Sequence, residues 1–273
     1  MRAPLLSRRG LLAALPANLT ASSPRRLRAL ILSGRNNHDW RTTTPYLKKI
    51  LEATGRFEVA VELEPSRLTA QDLAGLDVIV LDYNGPRWGA TAEEAVAEFV
   101  RGGRGLVVVH GASYAFGEME ILGENHQRTG KFEPPWPDYA RMTGVRWTNG
   151  PPRSGHGKRH EFRVDIVDRE HPITRGLPPS FLIDDELYHR LVFQPNVHVL
   201  ARAFDAPEMG GTGNFEPVLW TVRFGEGRVF HTTLGHDLKA MQAPGFRATF
   251  ARGAEWAASG QVTLPAEPPE VTP

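Results

Sequence analysis

Read by the spacing of its apolar residues, the chain alternates short β-rich runs with helical patterns. Residues 27–32 form an apolar run that ends at Ser33-Gly34, and residues 44–54 then place Leu47, Ile50 and Leu51 on one helical face before Gly55. This is a βα unit. Residues 57–63 alternate as a half-buried strand, 77–81 read DVIVL as a buried one, and Thr91 caps a predicted helix that turns Ala95, Val96, Phe99 and Val100 inward. That helix stops at Gly102-Gly103, and 106–109 is the next buried strand. Near-continuous apolar strands separated by helices predict a doubly wound, parallel α/β sheet, whose ligands lie beyond the carboxyl ends of its strands.

The second half changes rhythm. Strands are expected over 162–167 and 197–203, and a C-terminal β-hairpin over 217–224 and 228–233 across Gly225-Glu226-Gly227. A closing helix over 246–258 turns Phe250, Ala254 and Ala257 inward and ends at Gly260. No internal repeat or long linker divides the chain. The organisation expected is a leader at 1–24, one elaborated domain at 25–261 and a proline-rich tail at 262–273, extended and poorly ordered because proline cannot continue a helix or a central strand.

In the leader, Ser7-Arg8-Arg9-Gly10-Leu11-Leu12 is similar to a twin-arginine export signal, with an apolar stretch to Leu19 and small residues at 20–23 where a peptidase would cut. The expectation is a soluble periplasmic or secreted protein, with an uncleaved basic tail on a cytoplasmic protein as the alternative. No later run approaches the roughly 18 apolar residues of a membrane span.

Composition narrows the chemistry. Lys plus Arg number 32 against 31 Asp plus Glu, so a net charge of +1 supplies no broad field for nucleic acid or an anionic membrane. Cysteine is absent, which removes disulfides, thiolate metal sites and thiol nucleophiles together. The remaining reactive residues cluster where apolar strands end: Gly34 to Trp40 after the first strand, Asp82-Tyr83-Asn84-Gly85 after the third, His110-Gly111-Ala112-Ser113 after the fourth, and His231 to Asp237 near the end of the hairpin. His160-Glu161 and Asp184-Asp185-Glu186-Leu187-Tyr188 lie between them.

The phrases SGRNNHDWRTTTPYLKKIL, VIVLDYNG, GRGLVVVHGAS, HPITRGLP, DDELY, GGTGNFEPVLWTVRFGEGRVFHTTLGHD and RGAEWAASG, in order from about Leu27 to Gly260, resemble the ThuA-like family, named for trehalose utilisation. The resemblance implies a flavodoxin-like sandwich related to class I glutamine amidotransferases, and a link to carbohydrate metabolism. Amidotransferase chemistry itself is excluded. Those enzymes carry a nucleophilic cysteine in the turn after the central strand, and this strand delivers His110 instead.

Imidazole and carboxylate suit zinc or a similar divalent ion, so His38, His110, Glu186 and His236 are the candidate ligands. Asn37, Trp40, Asn84 and Tyr188 are candidates for substrate binding. His110, His160 and Asp185 are the candidate catalytic groups, with His160 or Asp185 moving a proton while the ion polarises a keto or hydroxyl oxygen. Asp185 and Asp237 equally suit orienting an imidazole or capping a helix. His171 is read as ordering a turn, and His126, His156, His189 and His198 carry no motif support. The function expected is isomerase, lyase or hydrolase action on a small-molecule carbohydrate, with no nucleic-acid partner and a homo-oligomer left open. Two alternatives stand beside it. Gly111-Ala112-Ser113-Tyr114-Ala115 fits a loosened serine-hydrolase elbow with Ser113 as nucleophile. Trp40, Trp88, Trp136 and Trp147, in polar or proline-rich stretches, suit a carbohydrate-binding module without catalysis, whereas Trp220 and Trp256 fall in periodic, core-forming segments.

Overall fold

The computed structural model of the chain describes residues 25–116, 120–122 and 127–272; the leader 1–24 lies outside them. The first half follows the apolar runs. Strands β1 (Leu27–Leu32), β2 (Phe57–Glu62), β3 (Val78–Leu81) and β4 (Gly105–Val109) alternate with helices α1 (Trp40–Ala53) and α2 (Ala90–Arg101). All residues of β3 and β4 are buried, as strands covered on both faces must be. Consecutive residues of β4 enter opposite layers: Val107 and Val109 pack with Leu47 of α1 and Phe250, while Leu106 and Val108 pack with Val96 and Val100 of α2. Each such side chain contributes roughly 1.5–3 kcal/mol by its burial.

After β4 the chain passes through the short ribbon β5 (Glu120–Leu122) and β6 (Arg128–Phe132), then α3 (Tyr139–Thr143), β7 (Val145–Arg146) and β8 (Gly155–His156). Strands β9 (His160–Ile166) and β10 (Ser180–Asp185) follow, with β11 (Tyr188–His189), β12 (Val192–Phe193), β13 (His198–Phe204), β14 (Phe215–Phe224) and β15 (Gly227–Thr232). Helices α4 (Leu238–Met241) and α5 (Pro244–Ser259) close the fold. The main sheet runs β10-β9-β13-β14-β15-β4-β3-β1-β2. Its β2-β1-β3-β4-β15 portion is parallel throughout and has the flavodoxin-like 2-1-3-4-5 order. The expected hairpin, β14 with β15, joins this portion to an antiparallel wing of β13, β9 and β10.

Several local expectations shift. Helix α1 starts at Trp40 rather than at 44, because Thr43 and Thr44 turn inward and give their hydroxyls to buried Asp82, which hydrophobic periodicity does not register. Thr91 caps nothing; α2 starts at Ala90 behind Gly89, whose φ of 92° is the left-handed region. Strand β10 ends in two carboxylates and escaped the apolar pattern. The proline-rich tail is extended, yet it is docked rather than loose: Glu255 accepts from Thr263 N and Leu264 N, Arg252 donates to Leu264 O, and Tyr46 donates to Val271 O. Among the described residues no helix is long and apolar enough to cross a membrane.

Candidate metal centre

Beyond the carboxyl ends of the parallel strands, loops far apart in sequence meet. The loop after β1 brings Asn36, Asn37 and His38; the end of β3 brings Asp82 and Asn84; β4 delivers His110. Glu186 and Tyr188 follow β10, and His236 follows β15. His110 has φ 40°, uncommon for a residue with a side chain, and opens the 3-10 turn His110–Tyr114. The sharp turn that sequence assigned to an elbow around Ser113 is therefore made at His110, directly at the strand end.

The candidate ligand atoms of His38, His110, Glu186 and His236 all lie within 4.8 Å of one another. The imidazole of His38 lies 4.6 Å from that of His110 and 4.8 Å from that of His236, measured between ring centroids. Glu186 Oε2 is 3.1 Å from His236 Nδ1 and 3.7 Å from His110 Nε2. Surrounding groups hold the rings. His110 Nδ1 donates to Thr233 O at 2.6 Å, so its Nε2 carries the lone pair and accepts from the Tyr188 hydroxyl at 2.8 Å. Asp185 is sealed from solvent and accepts three backbone N–H groups, from Glu186, Gly235 and His236, which ties the two ligand loops together.

Charge follows from this packing. Burial, reinforced by His110 and His236, pushes His38 down to about 2, so it stays neutral and keeps a lone pair. Burial alone would raise Glu186, but His110 and His236 beside it hold its carboxyl well below the usual range. His236 is raised by Glu186 against the cost of burial. Burial raises Asp185, opposed by His110 and the three N–H donors.

These residues fit a divalent ion. Three imidazoles and one carboxylate are the donor set of a zinc-type site, and each has a ligand atom free of backbone partners. His236 Nδ1 is buried and lies 3.1 Å from Glu186 Oε2, so it is turned toward the other candidate ligand atoms. Ligands about 2.0–2.2 Å from one tetrahedral ion lie about 3.3–3.6 Å apart, so the widest pair would close by about 1 Å when the ion binds. His38, Glu186 and His236 are partly exposed, which leaves one side open.

The other sequence candidates divide. Asn84 donates to Asn37 Oδ1 at 2.6 Å and accepts from Asn37 N at 3.0 Å, a polar rim beside His38. Trp40 starts α1 two residues on, half-exposed beneath the Arg41 guanidinium at 4.5 Å. His160 does not join the ligand cluster. It sits half-exposed on β9 with Nδ1 on Lys158 O, along a groove shared with Phe204, Met209 and Phe215. Asp185 makes its hydrogen bonds to the backbone of the site loops and acts on His110 and His236 through its charge, and Asp237 caps α4 through Ala240 N while pairing with Arg159. Trp88, Trp136 and Trp147 are buried, the first two in an aromatic cluster with Phe116 and Tyr139, so they form no sugar-stacking surface. Trp220 and Trp256 are buried as expected. His171 orders its turn by accepting Ile173 N at 3.2 Å.

Sequence reasoning passed over two groups. His156 places Nε2 3.6 Å from Glu186 Oε2 and is 40% exposed. Its position comes from the β8–β11 pairing, Tyr188 opposite His156, which no local motif announces. Asn36, read only as part of a polar loop, sits directly behind His38.

Comparison with known proteins gives the family. The sequence pattern of ThuA, described as trehalose utilisation, matches residues 28–257. A putative ThuA-like protein from Parabacteroides merdae is 31% identical, with 91% of this chain and 96% of that one aligned at a TM-score of 0.77. A second, from Bacteroides uniformis, is 18% identical over 92% of this chain and 97% of that one, at a TM-score of 0.63. A β-galactosidase from Rahnella shares the fold alone, at 16% identity and a TM-score of 0.54 over 88% of this chain and 32% of that one. A search of curated proteins gives no match. With its family pattern spanning most of its length, the chain belongs to the ThuA, or trehalose utilisation, family.

Proposed function

We propose that the protein is a carbohydrate-processing enzyme whose centre is a divalent ion held by His38, His110, Glu186 and His236. The observation that carries this reading is the convergence of four ligand atoms within 4.8 Å from four separate loops. The family's description as trehalose utilisation supports a sugar or keto-sugar as the substrate. When bound, the ion would polarise a keto or hydroxyl oxygen of the sugar. The amides of Asn37 and Asn84 line the rim and suit sugar hydroxyls, with Trp40 available at its outer edge. The Tyr188 O–H now donates to His110 Nε2; with that nitrogen committed to the ion, the hydroxyl would be free to donate to an oxygen entering there. Proton transfer is assigned to His156 in place of His160 or Asp185: its Nδ1 is engaged with Gly157 O at 2.8 Å, which leaves Nε2 facing Glu186 and the opening. Isomerisation, elimination and hydrolysis all suit this arrangement.

The test is metal content. Protein purified without chelators is expected to carry near-stoichiometric divalent ion, and His110→Ala to weaken its binding by about 100-fold or more, since even outer-shell changes cost 10–100-fold. Elemental analysis reads the occupancy, and NMR of glucosides and their keto derivatives incubated with loaded protein reads turnover. Ion-free protein that still binds sugar would replace this reading with a non-catalytic carbohydrate-binding module.

A further inference from the structure

We infer that Asn36 and Asp82 form a positioning relay that fixes His38 as its Nδ1–H tautomer and thereby makes Nε2 its ligand atom. The inference rests on the metal-centre reading for its purpose but not for its geometry. His38 Nδ1 lies 2.9 Å from Asn36 Oδ1. That atom is identified as oxygen from two sides. The backbone N–H of His38, which can only donate, reaches it at 3.0 Å. On the far side the Asn36 amide nitrogen lies 2.8 Å from Asp82 Oδ1, which is placed to accept. Asp82 is anchored in turn, its Oδ2 receiving the hydroxyls of Thr43 at 3.1 Å and Thr44 at 2.6 Å from the first turns of α1.

The consequence is chemical. Asn36 Oδ1 carries no hydrogen, so the proton between it and His38 belongs to the imidazole, and the lone pair of the neutral ring is left on Nε2. Neutral histidine in water favours the opposite tautomer, with hydrogen on Nε2 where an ion would bind. The fold therefore overrides the intrinsic preference. For His110 it does so with a backbone carbonyl, Thr233 O; for His38 it uses a side-chain amide whose direction a buried carboxylate sets. Asn36 and Asp82 are 5% and 3% exposed, so bulk water does not compete for these contacts.

The experiment is 15N NMR of ion-free, full-length protein with labelled histidine, the His38 signals being assigned with His38→Gln. Wild-type His38 is expected to show a protonated Nδ1 and a pyridine-like Nε2. Asn36→Ala is expected to move the ring to the Nε2–H form and to weaken Zn2+ binding by about 10–100-fold. The exchanged pair Asn36→Asp with Asp82→Asn keeps an acceptor toward His38 and a donor–acceptor contact between the two side chains. It should restore the tautomer and most of the affinity, which a merely structural role would not produce. Hydrogen on Nε2 in the wild type, or an Asn36→Ala variant that keeps Nδ1–H, overturns the relay. If Asn36→Ala does not fold, the wild-type tautomer and the exchanged pair decide. Wild-type protein with the expected tautomer but no Zn2+ affinity would sink the metal centre and leave the relay standing.

Discussion

The single turn His110–Tyr114 carries two histidine-based pairs of opposite fate. At its start, His110 meets Tyr188 and Glu186 in a cluster whose other candidate ligands are partly exposed. Three residues on, the Ser113 hydroxyl donates to His231 Nε2 at 2.8 Å, while His231 Nδ1 donates to Thr143 O at 3.1 Å. By atoms alone the second pair looks like an activated nucleophile. Ser113 is 1% exposed and His231 0%, however, with the His231 ring stacked on buried Trp220 at 4.0 Å between centroids. A substrate has no approach to it. Burial also pushes His231 down to about 3, so it stays neutral and serves as a hydrogen-bonding strut. The difference teaches that access, rather than residue type or spacing from a strand end, separates a histidine placed to meet a ligand from a sealed one here.

The sharpest way to break the contrast is Gly111→Ala, one residue from His110 and two from Ser113. A Cβ there would lie 2.7 Å from His38 Nδ1, 2.8 Å from Asn84 Nδ2 and 2.9 Å from Asn36 Oδ1, all closer than real contacts. The expected outcome is a loss of about 1–3 kcal/mol of stability and at least ~10-fold of ion affinity, read by urea unfolding and metal titration. Unchanged affinity would mean the cluster is looser than drawn. Ser113→Ala sharpens the comparison from the sealed side. It leaves His231 Nε2 without a donor and should cost about 1–3 kcal/mol while metal content stays at the wild-type level. A fluorophosphonate probe should fail to label Ser113; labelling would revive the hydrolase reading.

The smallest expected effect comes from pH. His236 is raised by Glu186, so its contribution to ion-free stability is full below the unfolded histidine value of about 6.5 and is lost as pH rises through the higher folded value. Glu186 is depressed, so its contribution is present above the usual carboxylate range and is lost only as pH falls through its folded value. An ion requires His236 without its proton. Affinity should therefore climb with pH below the His236 folded value, by about tenfold per unit for one proton released, then level off. A flat profile would remove His236 from the ligand set.

Much of the fold was legible because it rests on local pattern. The apolar runs of β1, β3 and β4 and the stripes of α1 and α2 report burial on two faces directly. Strand β10 did not, since Asp184 and Asp185 at its end carry polar contacts instead of core packing. The cluster of His38, His110, Glu186 and His236 was legible as residue types at strand ends. His160 misled because it too begins a strand, but on the antiparallel wing, where the strand end faces a different groove. His156 was silent, its place set by pairing with Tyr188 across 32 residues of chain.

The sequence by itself determined the parallel α/β core, the family and the exclusion of thiol chemistry, because hydrophobic period and the absence of cysteine are properties of the chain read in order. Only the tertiary structure decided which imidazoles share a centre, which are sealed, and which nitrogen each presents. Those outcomes depend on distances and hydrogen-bond acceptors contributed by loops remote in sequence, and no local spacing encodes them.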